Sequence, residues 1–291
     1  MPRIPLYCPN SDCPNHRERE SGFYIKKGYR RTSHNGQKVP RYQCKSCLKY
    51  FSATSTKRIQ GQHRPELNRD IFRMAVSGVT YTRIAKLLGC SETTVARKVK
   101  TLAEQAKDLH ASYLANTETS LVMIDMLHTF LHSRHKPIGI IMSIRVKTRE
   151  VISFSVCKII GRKIGKDEYE WTVSDQGQAF QDMLRPVRFV LADQGTIVTD
   201  GHTSYPQFLR EGMGANDDEP AKPYTHEVAK SPTKSREREY DPLFAINHTL
   251  AQMRNDMARL HRKTWTTTKT MQGLEQHLWL WVAWKNGYEL K

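Results

Sequence analysis

Four of the six cysteines stand in two close pairs, a spacing typical of metal-binding turns. Cys8 and Cys13 form the first pair, and Cys44 and Cys47 form the second. Each short turn directs two thiolates at one centre, and two such turns complete a tetrahedral four-sulfur shell for Zn²⁺. Because such a shell is closed, we expect the zinc to be structural. A disulfide or buried free thiols are the alternatives, and a reducing cytosol disfavours the first.

Two aspartates, Asp125 and Asp200, follow β-rich segments and indicate metal-dependent phosphoryl transfer. Two divalent cations about 4 Å apart need shared oxygen ligands. An aspartate on a central strand can bridge both cations, and one at the end of a neighbouring strand can hold one of them. We expect Mg²⁺ or Mn²⁺ in a two-metal site. A single strand-end aspartate is more often a turn or cap residue, so only the pair of aspartates indicates this chemistry.

The elements that must position these aspartates alternate between strand and helix. Strands are predicted at 121–125, 137–145, 151–160, 196–201 and 224–228, and helices at 179–187, 205–209, 243–262 and 271–284. Three strands, a helix, a strand and further helices predict an α/β fold, an RNase H-like mixed sheet with flanking helices, over residues 116–291.

Two smaller domains are predicted ahead of this sheet. Strands at 23–25 and 39–42 flank the turn signal Asn35-Gly36, which predicts a hairpin and a zinc ribbon over 1–60. Residues 61–115 predict a helix-turn-helix domain, because Gly89 can end one helix and Ser91 can cap the next. The second helix of that motif enters the DNA major groove. The residues expected to face DNA are Glu92, Thr93, Thr94, Arg97 and Lys98.

The charge of the chain supports a polyanionic partner. Lys and Arg number 46 against 29 Asp and Glu, a net charge of +17. Residues 1–115 hold 22 basic and 8 acidic side chains (+14), whereas 116–291 hold 24 and 21 (+3). Clustered charge of this kind is typical of phosphate contact. No apolar run is long enough to cross a membrane and no signal peptide is evident, so we expect a soluble, cytoplasmic protein with no membrane partner.

The order of these features resembles bacterial insertion-sequence transposases of the DDE class that carry an N-terminal zinc ribbon. The resemblance rests on segments 41–47, 81–99, 124–125, 199–205, 243–248 and 254–269, and it spans about residues 8–286. It implies that Asp125 and Asp200 ligate Mg²⁺. It also implies binding to double-stranded DNA at terminal inverted repeats and at a target, action as a homo-oligomer, and a location at the bacterial nucleoid.

The third metal ligand departs from the common pattern of that family. Many relatives have glutamate where the final helix meets the site, and this chain has Asn247, next to His248. An amide oxygen can ligate Mg²⁺, although it brings no charge. We expect Asn247 as the ligand and His248 as a supporting or proton-handling group. Asp256 and Glu275 remain alternative ligands.

The resulting hypothesis is a transposase that binds element ends, cleaves a strand and joins the freed 3′-hydroxyl to target DNA. The cations expected to contact DNA phosphates beside the site are Arg254, Arg259, Arg262 and Lys263. A solvated helix face is the alternative for these four residues. The rival functions are a catalytically inactive, transposase-derived DNA-binding regulator and a nuclease of the same fold directed at RNA or junctions.

Overall fold

The computed structural model describes residues 7–16, 21–31, 38–52, 62–160, 173–214, 220–229, 241–261 and 266–290. The chain forms two compact units, Met1–Arg69 with Lys291, and Asp70–Leu290. The second unit contains residues 70–115 of the segment predicted as a helix-turn-helix, together with the segment predicted as a mixed sheet. These two segments are therefore parts of one compact body.

The first unit is built on a three-stranded antiparallel sheet. Its strands are β1 (Tyr24–Arg31), β2 (Lys38–Cys44) and β3 (Tyr50–Ser52). The predicted hairpin is confirmed, whereas β3 was not predicted and the turn signal Asn35-Gly36 lies outside the described residues. Phe23, Tyr42 and Phe51 are buried together with three cysteines. So small a core supplies little stability, which makes a metal crosslink physically useful here.

The second unit combines helices with a mixed sheet. Its helices are α1 (Asn68–Ala75), α2 (Tyr81–Leu87), α3 (Glu92–Leu114), α4 (Gln176–Val190), α5 (Tyr205–Met213), α6 (Phe244–Asp256) and α7 (Met271–Lys285). Its strands are β4 (Thr119–Phe130), β5 (Pro137–Arg145), β6 (Val151–Lys158), β7 (Leu191–Thr199) and β8 (Tyr224–Val228). Within the described ranges, no helix has the length and apolar character needed to cross a bilayer.

The sheet has the order β6-β5-β4-β7-β8, with β4 at its centre. The β4–β5 and β5–β6 pairs are antiparallel, whereas β4–β7 and β7–β8 are parallel. On one face, Val122 and Ile124 of β4 pack with Phe180 of α4 and Leu209 of α5. Because side chains alternate along a strand, Asp125 points away from this apolar core. The predicted mixed α/β architecture is confirmed.

The α2–α3 pair has the caps that the sequence predicts. The Ser91 hydroxyl accepts the Thr94 N–H at 3.1 Å, and Gly89 adopts the left-handed conformation at φ 58°. Ile84 and Val95 are fully buried between the helices. The two helices therefore meet at a tight turn whose geometry is set by local sequence.

The structure corrects the prediction for Lys98. α3 continues without a break to Leu114, and its buried stripe runs through Val95, Val99 and Leu102. Positions three and seven residues apart share a helix face, so Lys98 joins this stripe and is only 6% exposed. Lys98 does not face solvent and is not available for DNA contact.

The helix predicted over 243–262 is also shorter than expected. α6 ends at Asp256, and a 3₁₀ turn follows at Ala258–Leu260. The Asp256 carbonyl accepts the Gly78 N–H at 2.7 Å, and its carboxylate accepts the Trp281 indole N–H at 3.1 Å. These tertiary contacts hold the end of α6, and they move Arg259 off the predicted helix.

We predict that stability falls in mild acid because of His277. Burial, with the Arg259 cation nearby, lowers the pKa of His277 to about 3, while its Nε2 hydrogen bonds to the Ala75 carbonyl at 2.8 Å. An unfolded histidine titrates near 6.5, so below that pH the unfolded chain binds a proton that the folded chain does not. The free energy of unfolding should fall by at most about 1.4 kcal/mol per pH unit from this residue.

Urea unfolding of the wild type at about pH 7.5 and about pH 5.5 measures the effect. His277→Gln keeps an N–H donor for Ala75 and cannot titrate, so its stability should change less between the two conditions. Equal pH dependence in both proteins would contradict the assignment.

Candidate metal centres

The four paired cysteines lie together in the first unit. The Sγ atoms of Cys8 and Cys47 are 3.5 Å apart, and those of Cys13 and Cys44 are 3.7 Å apart. All four sulfurs lie within 4.8 Å of one another. A zinc–sulfur bond of about 2.3 Å places tetrahedral sulfurs about 3.8 Å apart, so the cluster has the size of a Zn²⁺ shell. The four cysteines can form a zinc site.

Local backbone turns hold these thiols in place. The Cys13 N–H donates to the Asn10 carbonyl, and the Leu48 N–H donates to the Cys44 carbonyl, both at 3.1 Å. The Nδ1–H of His16 donates to the Cys8 carbonyl at 2.7 Å, so this ring nitrogen is occupied by the backbone. Burial raises the pKa of Cys8 to about 12. A buried thiol of this kind ionises readily only beside a cation.

Asp125 and Asp200 lie at the same level of the central sheet. The parallel register pairs Met123 of β4 with Val198 of β7, so two residues farther along each strand the two aspartates are adjacent. β7 ends at this point, while β4 continues. The structure therefore places Asp200 at the carboxyl end of β7, beside Asp125 in the middle of β4.

The charges of the two carboxylates act on each other, as expected for neighbours. Burial raises the pKa of Asp125 to about 6, and the charge of Asp200 also raises this pKa. The Met126 N–H donates to the Asp125 carboxylate at 2.7 Å and lowers the pKa in part. Burial raises the pKa of Tyr205, and both aspartates raise it further. Within the described residues, neither aspartate pairs with lysine or arginine. Adjacent carboxylates without a neutralising side chain fit a divalent cation.

A tight turn positions Asp200. Its carboxylate accepts the His202 N–H at 3.0 Å, and the intervening Gly201 has φ 84°. A Cβ at Gly201 would lie 2.7 Å from Cγ1 of Val228 on the neighbouring strand. Both the backbone conformation and the close approach require glycine here.

We predict that Gly201→Ala lowers the free energy of unfolding by about 1–3 kcal/mol, because it adds backbone strain and a clash. Chemical denaturation measures this loss. Gly177→Ala is the matched control, since a Cβ there meets Phe208 at an ordinary 3.5 Å and alanine favours the α4 helix. Equal stability of the two variants would argue against the strained turn.

Asn247 lies in the first turn of α6, the helix that packs against β4. Its Nδ2 donates to Oδ2 of Asp241 at 3.1 Å, and Oδ1 of Asp241 accepts the Leu243 N–H at 3.0 Å. Asp241 therefore orients the Asn247 amide, and the amide oxygen is the atom of that side chain able to ligate a cation. Asp241 was not among the predicted site residues, although an aspartate before a proline at a helix start is a usable signal.

The two alternative ligands lie against or on α7. The Asp256 carboxylate accepts the Trp281 indole N–H. Glu275 lies on α7, where burial raises its pKa and the Lys107 charge lowers it. His248, the predicted supporting group, accepts a hydrogen bond at Nδ1 from Arg149 at 3.4 Å and lies beside the Phe244 ring.

The predicted DNA-facing residues of α3 differ in how far their side chains are exposed to solvent. Thr93 and Arg97 are exposed, and Thr94 is half-buried with its hydroxyl 2.9 Å from that of Ser91. Lys100, which the sequence analysis did not select, is exposed. Its position seven residues after Thr93 and three after Arg97 puts all three on one face.

The cations predicted beside the catalytic site do not form one row. Arg254 donates from Nη2 to the His128 carbonyl of β4 at 3.3 Å. Arg259 belongs to the 3₁₀ turn and lies over the Tyr81 ring, 5.3 Å from its centroid. Arg262 and Lys263 lie outside the described residues.

Comparisons with known proteins add little to this geometry. No protein-family model and no curated protein matches the chain. Among solved structures, the chain is similar to a piggyBac transposase determined by cryo-EM as a synaptic complex with hairpin DNA. The identity is 15% and the TM-score 0.33, over 78% of this chain and 63% of that one, which is less than two thirds of its length. A likeness this distant assigns neither a family nor a function.

Proposed function

We propose that this chain is a DNA transposase that performs divalent-metal-dependent strand cleavage and 3′-hydroxyl strand transfer. The observation that carries the proposal is the adjacency of Asp125, within the central strand β4, and Asp200, directly after the parallel strand β7. An unneutralised carboxylate pair in a sheet of this order supports a two-metal phosphoryl-transfer site.

Each part of the site then has a role. Asp125, on the central strand, would bridge the cations, Asp200 would hold one of them, and Asn247 would contribute an amide oxygen. When bound, Mg²⁺ or Mn²⁺ would activate the attacking oxygen and stabilise the leaving oxygen. Asp241 would keep the Asn247 oxygen oriented through its hydrogen bond to Nδ2.

DNA binding is assigned to the basic N-terminal part of the chain. Thr93, Arg97 and Lys100 form an exposed face on α3 that suits the major groove. The +14 charge of residues 1–115 supports phosphate contact, and the four-cysteine cluster would hold a structural zinc. The proposal extends to terminal inverted repeats and target DNA as substrates, a homo-oligomeric enzyme, and a bacterial insertion-sequence origin.

The direct test is metal binding, because it needs no knowledge of the DNA sequence. The zinc-loaded protein is titrated with Mn²⁺, and free Mn²⁺ is measured by electron paramagnetic resonance. Asp125→Asn or Asp200→Asn should weaken Mn²⁺ binding by more than about tenfold, because losing even a residue that only hydrogen bonds to a metal ligand costs that much. Asp193→Asn removes a carboxylate from the other end of β7, which pairs with Lys222 at 2.8 Å, and should bind Mn²⁺ like the wild type. Equal affinity in all four proteins would refute the site.

A regulator that binds DNA without cutting it is the second candidate. It is favoured by one observation, the neutral Asn247 amide, which leaves the proposed site one negative charge short of three carboxylates. Duplex binding without Mn²⁺-dependent nicking would favour this candidate.

A further inference from the structure

A cavity of about 480 Å³ lies in the second unit, apart from the aspartate pair. Its wall includes Thr80 and Tyr81 at the start of α2, Ala96 of α3, and Arg259 of the 3₁₀ turn. The first turn of α7 completes it. The cavity thus lies between the proposed DNA-binding helices α2 and α3 and the C-terminal part of the chain.

Two buried polar atoms at this cavity, Nε of Arg259 and Nδ1 of His277, have no hydrogen-bond partner within the described structure. The buried Tyr81 hydroxyl has the Arg259 guanidinium as its hydrogen-bonding neighbour. Arg259 Nε and the Tyr81 hydroxyl can donate, whereas His277 Nδ1 can only accept, because Nε2 already donates to the Ala75 carbonyl. His277 is 1% exposed. Such atoms are costly unless a ligand or water satisfies them.

The cavity is also positively charged. Arg259 Nη1 lies 3.4 Å from the Cβ position at Gly273, in the first turn of α7. A helix N-terminus carries partial positive charge, so a guanidinium there is unfavourable unless an anion offsets it. Lys269 lines the cavity too and is exposed at its mouth. None of the described lining residues is acidic.

We propose that this cavity binds a backbone phosphate of the DNA held by the α2–α3 pair. An arginine fork and a tyrosine hydroxyl are donors suited to phosphate oxygens, and a water carried with the phosphate can donate to His277 Nδ1. The Gly273 N–H of α7 already donates to the Thr270 hydroxyl, so this helix N-terminus contributes its partial positive charge. In DNA-bound helix-turn-helix motifs the first helix crosses the sugar–phosphate backbone, and the start of α2 forms this wall. The inference rests on the proposed DNA-binding function and gives it a specific phosphate site.

The test is the salt dependence of duplex binding by the full-length protein. Plotting log Kd against log salt for a mixed-sequence duplex should show that Arg259→Gln lowers the slope by about one, the value for one phosphate contact, and weakens binding about tenfold. Arg259→Lys should recover part of the slope. Arg185→Gln, an exposed charge change on α4, should leave the slope unchanged. Lys269→Gln, at an exposed position, reports on the same site if Arg259→Gln does not fold.

The outcomes separate the inference from the proposed function. An unchanged slope in both cavity variants, with tight duplex binding, would overturn the phosphate site and leave the DNA-binding proposal standing. Absence of duplex binding by the wild type would overturn both. Inorganic phosphate is the second probe. It could raise the melting temperature of the wild type but not of Arg259→Gln, while the salt dependence of duplex binding is the same in both proteins. That result would show that the cavity binds free phosphate and not a phosphate of the DNA backbone.

Discussion

Asp125→Asn should reduce divalent-metal-dependent DNA cleavage on the order of 10³-fold without weakening DNA binding. If Asp125 holds the proposed cations, its loss removes several kcal/mol of charge stabilisation from phosphoryl transfer, and each 1.36 kcal/mol is worth a factor of ten in rate. The side chain is nearly isosteric, and it lies on β4 rather than on the exposed face of α3. Asp125→Asn should therefore lose DNA cleavage while keeping the DNA affinity of the wild type.

Nicking of supercoiled plasmid with Mn²⁺ measures this effect without requiring the natural element ends. Asp200→Asn should be impaired to a similar degree, and Asp193→Asn should nick like the wild type. Nicking by Asp125→Asn at the wild-type rate would show that this carboxylate is not part of a catalytic site. Tight plasmid binding by a wild type that never nicks would favour the regulator.

Zinc removal should unfold the first unit and leave the second unit folded. Structural zinc contributes about 10–16 kcal/mol of apparent binding free energy in small domains, which is more than a core of Phe23, Tyr42 and Phe51 can supply without a crosslink. The sheet of the second unit has an apolar core of its own. A strong zinc chelator should therefore make residues 1–69 sensitive to protease while the main thermal transition remains.

Metal content gives an independent measure of the same centre. The purified wild type should contain one zinc per chain by mass spectrometry, and Cys44→Ser should contain almost none. Cys90→Ser is the matched control, because Cys90 is half-buried and lies outside the cluster. Full zinc content in Cys44→Ser would contradict the four-sulfur centre.

Local sequence predicted the features that depend on near neighbours. The cysteine spacing predicted the cluster, since each turn orients its own two thiols. Ser91 and Gly89 predicted the turn between α2 and α3, since caps act within a few residues. The strand order predicted that Asp125 and Asp200 lie on neighbouring strands, and Asp200 does follow the end of β7. The predicted strand end at Asp125 is wrong, because β4 continues to Phe130.

Features that depend on distant partners were decided by tertiary packing. The sequence predicts that Lys98 faces the DNA major groove. However, α3 continues past the helix-turn-helix motif, and the buried stripe of this helix includes Lys98. The end of α6 is held by Gly78 and Trp281, which are remote from Asp256 in the chain. Burial and a facing carboxylate, rather than residue type, raise the pKa of Asp125. Side-chain type and spacing determine local turns and the periodicity of helices and strands. Burial, the positions of helix ends and the electrostatic potential at a carboxylate depend on chain segments that come together only in the folded protein.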